Sequence, residues 1–149
     1  MTAVSVSLRP SEPEDFEDVA ALLHAARLPI DGLRDRFADA IVASRDGEIV
    51  GCVALELYGG SALLRSLVVA RGVRGEGLGE RLTAEALRLA RERGAADVYL
   101  LTETAQRFFP RFGFRVADRS EAPAALQESV EFRSACPKSA VMMRLGMSA

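Results

Sequence analysis

The chain has 149 residues, a length that supports one domain with one core over residues 1–149. Hydrophobic residues make up 49% and charged residues 27%, an ordinary globular balance far from that of a disordered chain. The formal net charge of -2 leaves no dominant basic surface, which argues against nucleic acid as the main partner, because phosphate neutralisation supplies most non-specific affinity.

The first ten residues have no basic start and no apolar run of signal-peptide length, and nowhere do about 18 apolar residues follow one another. A cytoplasmic chain with no membrane partner is the expectation. Cys52 and Cys136 make no CxxC pair, and one His is too few for an ordinary zinc set, so no metal is expected. A disulfide between the two cysteines stays open at this point, with reduced thiols the expectation for a cytosolic protein.

In chain order, Val4 to Leu8 alternates apolar and polar residues and predicts a short half-buried strand. Ser11 and Glu14, with Pro13 between them, have the spacing of a capping box. Phe16, Val19, Ala20, Leu23 and Ala26 follow at helical spacing, predicting a helix to about Arg27 that Leu28-Pro29 stops. Asp31 caps a second short helix through Phe37. A meander follows: a strand over Ala40 to Ser44, a tight turn at Arg45-Asp46-Gly47-Glu48, a longer strand over Ile49 to Tyr58, a turn at Gly59-Gly60, and a strand over Ala62 to Val69. Leu78, Leu82, Ala86, Leu89 and Ala90 form an apolar helical stripe, with Arg88, Arg91 and Arg93 suited to the negative end of the helix dipole and Gly94 closing it. Val98 to Thr102 reads as a buried strand and Thr104 to Phe112 as a helix that Pro110 bends or shortens. A strand over Phe114 to Ala117, a helical turn or two from Pro123 to Glu128, and a last strand over Ser139 to Leu145 complete the order. Hairpins joined to helical crossovers predict a mixed sheet of about seven strands flanked by helices, an α/β (α+β) fold.

The most informative stretch is Leu67 to Leu82. An apolar strand enters a turn with four glycines, and the turn opens directly into an amphipathic helix. The first turn of a helix carries unpaired N–H groups and a partial positive charge, so it receives anions, and glycines let the backbone approach them closely. Arg74 adds a full charge. A phosphate-binding P-loop would end in Gly-Lys-Ser/Thr, where this chain has Gly79-Glu80-Arg81. A dinucleotide fingerprint would space its glycines GxGxxG after a first strand, where this chain has GxGxG after a meander. The plain alternative is an exposed glycine loop that binds nothing.

Arg74-x-x-Gly77-x-Gly79 resembles the (Gln/Arg)-x-x-Gly-x-(Gly/Ala) motif of the GNAT acetyltransferases. The flanking strand and helix, and Ala105 to Phe114 downstream, are similar to that family as well, and the order of elements agrees along nearly the whole chain. The resemblance implies the GNAT acyl-CoA N-acyltransferase fold, acetyl-CoA as cosubstrate, and a small-molecule amine as acceptor. It implies that the backbone of Leu67, Val68 and Val69 pairs with the pantetheine arm. It also implies that Arg74, Gly75, Glu76, Gly77, Leu78, Gly79 and Glu80 hold the pyrophosphate, with Phe108 and Phe109 beside the cofactor. Dimers through an exposed sheet edge, common in this fold, are the expectation for assembly by analogy. Ala62 to Val69, Glu131 to Met143, Gly32, Gly51-Cys52 and Tyr99 to Thr102 resemble a smaller group of arsenic-resistance N-acetyltransferases, itself similar to amino-acid N-acetyltransferases that form N-acetylglutamate.

The implied reaction is attack of a neutral amine on a thioester, with a backbone N–H of Leu67 or Val68 polarising the carbonyl. The tyrosine that serves as acid in many relatives is replaced here by Phe109, leaving a water, Ser66 or no group in that role. Glu56, late in the long strand, is the first candidate for the base, against an exposed strand charge. His24 has a suitable pKa, against a partly buried helix histidine. Tyr99 and Glu103 are weaker options. Arg65 stands in an apolar strand and needs a partner, either a substrate carboxylate or an internal salt bridge. Arg27 is an alternative carboxylate site, and Tyr99 and Thr102 complete the substrate set. Cys136 is either a contact for soft ligands or a small residue packed under its loop. The acceptor predicted is a small amino acid or an amino-acid-like toxin such as an organoarsenical. Alternatives are another amine (a polyamine, an antibiotic or a protein N-terminus) and a non-enzymatic acyl-CoA sensor.

Overall fold

The computed structural model describes residues 5–135 and 139–147. Its main elements are β1 (Ser7–Pro10), α1 (Phe16–Ala25), β2 (Ala40–Arg45), β3 (Glu48–Tyr58), β4 (Ser61–Val69), α2 (Leu78–Glu92), β5 (Asp97–Thr102), β6 (Arg115–Val116), α3 (Ala124–Gln127) and β7 (Val141–Gly146). The strands form one seven-stranded sheet in the order β1-β2-β3-β4-β5-β7-β6. β4 and β5 run parallel, which the crossover through α2 allows, while β1–β2, β2–β3, β5–β7 and β6–β7 are antiparallel. No described helix is long and apolar enough to cross a membrane.

The chain forms two compact units, one of Met1–Ala54 with Ser66–Ala86, the other of Leu55–Arg65 with Leu87–Ala149. In the first, α1 lays Phe16, Val19 and Leu23 against Val42, Ile49, Cys52 and Val68. The β2–β3 connection is a two-residue turn with Asp46 and Gly47 both at positive φ (53° and 78°), the geometry that matches the twist of a hairpin. In the second unit, Leu63, Tyr99, Ala122, Leu126 and Met142 pack together, with Tyr58 and Phe132 against them.

Several predicted boundaries move. β1 begins at Ser7, and Val4 lies outside the described residues. The capping pair before α1 is Glu12 and Asp15, not Ser11 and Glu14: the Glu12 N–H donates to Asp15 Oδ2 at 2.8 Å, after which a tight turn over Pro13–Asp15 leads into the helix. α1 ends two residues earlier than expected because Arg27, at φ 59°, adopts the left-handed conformation that closes a helix. The Arg27 N–H bonds to the His24 carbonyl at 3.0 Å and the Leu28 N–H to that of Leu23 at 2.9 Å, the paired bonds of a Schellman ending. The helix expected from Asp31 is a 3₁₀ segment over Arg34–Asp39. The helix expected over Thr104 to Phe112 is only a 3₁₀ turn, Phe109–Phe112. Pro110 supplies no N–H, and Thr102 Oγ1 takes the Ala105 N–H at 2.9 Å, which ties the start of the segment to the strand.

Candidate active site

The glycine turn belongs to the first unit. β4 ends at Val69, a single turn over Arg71–Val73 buries Val73, and α2 starts at Leu78. Gly75 and Gly77 sit at φ 85° and 80° with no atom within 4 Å of where a Cβ would stand. Backbone angle, not crowding, therefore requires glycine at both positions. The Gly77 carbonyl accepts from Arg81 N–H at 3.1 Å, so the N–H groups before it lead into the open first turn of a fifteen-residue helix. Arg74 Nε donates to the Val69 carbonyl at 3.1 Å, which anchors its exposed side chain to the end of β4. Leu78 is buried, whereas Glu76 and Glu80 are exposed.

Behind this turn, Gly51 of β3 sits where a side chain would crowd its neighbours. A Cβ there would stand 3.0 Å from the Val68 carbonyl, 3.1 Å from Leu82 Cδ1 and 3.4 Å from Leu78 Cδ2. The absence of a side chain lets β4 and the first turns of α2 settle against β3. Leu67 and Val69 are half-buried, while Val68 joins the apolar core. The β4–β5 ladder runs from Ser61↔Asp97 to Leu63↔Tyr99, and Leu67 to Val69 lie further along β4.

Ser66 interrupts β4 at φ 60°, a conformation rare for a residue with a side chain. Its carbonyl accepts the Cys52 S–H at 3.2 Å. Nothing in the local pattern of Ser66-Leu67-Val68 marks this irregularity. Cys52 is buried, and Cys136 lies outside the described residues.

The second unit carries the charged candidates. Glu56 and Arg65 are each 3% exposed, and Arg65 Nη1 donates to Glu56 Oε2 at 3.0 Å. On its other side Arg65 Nε stands 3.5 Å from Glu131 Oε1, itself buried. The Tyr58 hydroxyl donates to Glu56 Oε1. Arg65 thus makes the internal salt bridge of the two readings considered, with two carboxylates engaging a guanidinium that has no exposed side-chain surface. Glu56 is likewise no exposed strand charge. Sequence reasoning missed Tyr58 and Glu131. The period-two spacing of Glu56 and Tyr58 on β3 was the one signal available for the former.

Tyr99, read from the sequence as a substrate contact, lies in the core of this unit. Its ring packs in the apolar cluster of this unit, 3% exposed, and its hydroxyl lies 3.3 Å from Asp97 Oδ2. Burial first, and then the Asp97 charge, pushes its phenol above the ordinary tyrosine range. Asp97 also accepts from Ser61 Oγ at 2.6 Å and Arg144 Nη2 at 3.2 Å, so it ties together β4, β5 and β7. Thr102 spends its hydroxyl on the Ala105 N–H, and Glu103 accepts from Ser139 Oγ at 2.8 Å.

Phe109 is buried, and Phe108 meets it edge-on with centroids 5.1 Å apart. Phe109 also packs against Phe114 at 5.6 Å, so the residue that stands in place of the tyrosine is an aromatic packing anchor. His24 is exposed in the last turn of α1, not partly buried as expected, because the inward stripe of Phe16, Val19 and Leu23 turns its neighbour outward. Arg27 is exposed at the end of the same helix. Among the described residues no three His, Cys, Asp or Glu side chains gather as a metal site would require.

The family model for the Acetyltransferase (GNAT) domain matches residues 36–116, which contain the meander, the glycine turn and the aromatic segment. The chain belongs to the GNAT acetyltransferase family. It is 28% identical over 110 residues to an uncharacterized N-acetyltransferase of Chlorobaculum tepidum, covering 73% of this chain and 68% of that protein. It is 26% identical to an amino-acid acetyltransferase of Neisseria meningitidis, over 93% of this chain and 34% of the relative. Its fold matches that of N-acetylglutamate synthase from Neisseria gonorrhoeae, complexed with coenzyme A and N-acetyl-glutamate, with a TM-score of 0.84 at 21% identity, over 99% of this chain and 36% of that one. The chain therefore spans about a third of the length of these two Neisseria proteins.

Proposed function

We propose that this GNAT acetyltransferase moves an acetyl group from acetyl-CoA to the amino group of a small amino acid or of an amino-acid-like toxin such as an organoarsenical. The observation that carries the cofactor half is the turn over 74–79. Its two positive-φ glycines feed the open first turn of α2, which suits a pyrophosphate. Leu67 to Val69, beyond the β5 ladder, offer backbone to the pantetheine, and Arg74 and Glu80 border the phosphates; the family resemblance adds Phe108 and Phe109 as cofactor contacts. The acceptor half is supported by the resemblance to an amino-acid acetyltransferase over 93% of the chain.

In this reading the amine, once neutral, attacks the thioester carbon. A backbone N–H of Leu67 or Val68, downstream of the irregularity at Ser66, polarises the carbonyl. The departing thiolate needs little help from an acid, since a thiol pKa near 8.5 makes it a tolerable leaving group. That is consistent with a buried phenylalanine at position 109. Glu56 is the terminal acceptor of the amine's proton. With Arg65 committed internally, the exposed Arg27 is the cation left for the acceptor carboxylate among the residues read as binding it.

CoA release from acetyl-CoA, measured across amino acids, organoarsenicals, polyamines and aminoglycosides, tests this. Saturable turnover with a carboxylate-bearing amine is expected, with KM for that amine raised about tenfold or more in Arg27→Ala, as loss of a charge-assisted contact implies. Turnover confined to polyamines, aminoglycosides or peptide N-termini would sink the amino-acid reading.

A further inference from the structure

The carboxylate read as the base is 3% exposed, so a buried group must exchange a proton with an acceptor that arrives from solvent. Both of its oxygens are engaged. Oε2 receives Arg65 Nη1 at 3.0 Å, and Oε1 receives the Tyr58 hydroxyl. Tyr58 stands two residues further along β3, hence on the same side of the strand, and is only half-buried. Its ring packs beside the core of the second unit, which limits the rotamers open to it. Arg65 holds the far oxygen of Glu56 in place, and Glu131, 3.5 Å from Arg65 Nε, holds Arg65. The charged groups of β5 and β7, Asp97 and Arg144, bond to one another and to Ser61 and Tyr99. The phenol is therefore the group of this cluster that links the buried carboxylate to the surface.

We propose that Tyr58 is a catalytic proton relay, taking the proton of the acceptor amine at its Oη while passing its own to Glu56 Oε1. The proposal rests on the acetyl-transfer reading and on Glu56 as terminal base. In the step, the N–H bond of the ammonium breaks and its electron pair stays on nitrogen. A new O–H bond forms at Tyr58 as the old one breaks, and Glu56 becomes a neutral acid. The phenol ends as it began, and the amine is free to attack. After acetyl transfer Glu56 returns its proton to solvent along the same path. Arg65 and Glu131 are positioning residues, since they act through Glu56.

The test is a pair of pH–rate profiles, for Tyr58→Phe and Glu56→Gln, with acetyl-CoA affinity and melting temperature measured alongside. Tyr58→Phe should lower kcat/KM about 10²–10⁴-fold near neutral pH, the usual worth of positioned acid–base catalysis. The deficit should shrink as pH approaches the amine's own pKa, where the nucleophile forms unaided. Acetyl-CoA affinity should stay unchanged. Activity within about threefold of the parent at every pH would overturn the relay, as would a deficit independent of pH, which marks a merely structural loss. Loss in Glu56→Gln without loss in Tyr58→Phe would mean that Glu56 acts directly, so the relay alone fails. Full activity in Glu56→Gln would remove the base assignment itself. Should Tyr58→Phe fold poorly, a fluorinated tyrosine at position 58 keeps the shape while making the phenol more acidic. The relay then requires the pH profile to move, and an unmoved profile refutes it.

Discussion

The two units bury different chemistry. The first closes over an apolar cluster to which α1 and the strands contribute Phe16, Val19, Leu23, Val42, Cys52 and Val68, and the turn after α1 contributes Leu33. The second also has apolar residues, but it sets Glu56, Arg65 and Glu131 among them, together with Asp97 bonded to Ser61, Tyr99 and Arg144. Apolar burial contributes stability wherever the shapes fit. Buried charges stabilise a fold only when each meets its partner, and removing one member is more damaging than replacing the whole set. The first unit is thus built to hold a shape. The second holds charges at fixed places on β3, β4 and the segment Glu131–Ala135, which suits the proton handling proposed for it.

The sharpest way to break this contrast is Arg65→Met. It keeps an apolar stem of similar length but withdraws the guanidinium from two buried carboxylates. A loss of about 3–5 kcal/mol in denaturant unfolding is expected, as for other broken buried ion pairs. The triple variant Arg65→Met, Glu56→Gln, Glu131→Gln should recover much of it. If Arg65→Met alone costs under about 1 kcal/mol, the cluster is not a closed network. In the first unit the matching change is Leu23→Ala, at a fully buried position. It should cost about 2–5 kcal/mol through lost burial and the cavity left behind. Here no second substitution of a polar neighbour should rescue it, because no charge is left unpaired.

Gly51→Ala comes next, at about 1–3 kcal/mol. The Leu82 and Leu78 tips can shift by a few tenths of an ångström, but the Val68 carbonyl belongs to a laddered strand. Because that carbonyl and Leu78 flank the glycine turn, acetyl-CoA affinity should fall with stability, which a calorimetric titration would show. A variant that lost stability and kept its affinity would separate the packing from the turn.

The apolar unit was the more legible one. Helical spacing placed Phe16, Val19 and Leu23 inside, and Leu78, Leu82 and Ala86 of the α2 stripe are buried as its period implied; in the second unit the stripe continues with Ala90 buried and Leu89 half-buried. Turn chemistry located Asp46-Gly47 here, and Gly94 in the second unit, since these need positive φ. The glycine turn was readable because three conditions, strand, glycines and helix start, fall within one short stretch. The ion pairs were not readable. Glu131 lies 66 positions from Arg65 by difference of their numbers, and no local pattern links them. The same holds for Ser61, Asp97 and Arg144. The end of α1 failed for a different reason: Arg27 fills a position where glycine is usual, so the residue type hid the conformation.

That position gives a smaller prediction. The α2 helix closes with the same bond pattern, Gly94 N–H to Arg91 at 3.1 Å and Ala95 N–H to Ala90 at 3.0 Å, but with glycine at φ 82°. Arg27→Gly should therefore relieve strain and change stability by no more than about 1 kcal/mol, in the stabilising direction. If Arg27 binds the acceptor carboxylate, the same variant should raise the amine KM. Stability gained with activity lost would mark a residue kept for function at the cost of local strain.

The smallest effect concerns pH in the first unit. Arg9 donates to both oxygens of Asp15, at 2.7 and 2.9 Å, and this bond is the main reason the Asp15 carboxyl sits below its usual range. The Glu12 N–H adds to it against the opposing effect of burial. A carboxyl depressed in the folded state adds stability that is present above its unfolded pKa, about 3.9, and is lost as pH falls through the lower folded value. Because Arg9 is partly exposed, the pair is worth no more than about 1 kcal/mol. In Asp15→Asn, unfolding measured between about pH 2 and 6 should lose a little stability at the upper end and almost none at the lower end, where the carboxyl is protonated in both states. An equal loss at both ends would instead assign the residue's value to the uncharged helix start, where Asp15 accepts the Glu12 N–H, and would leave the first unit with no ionic contribution from this pair.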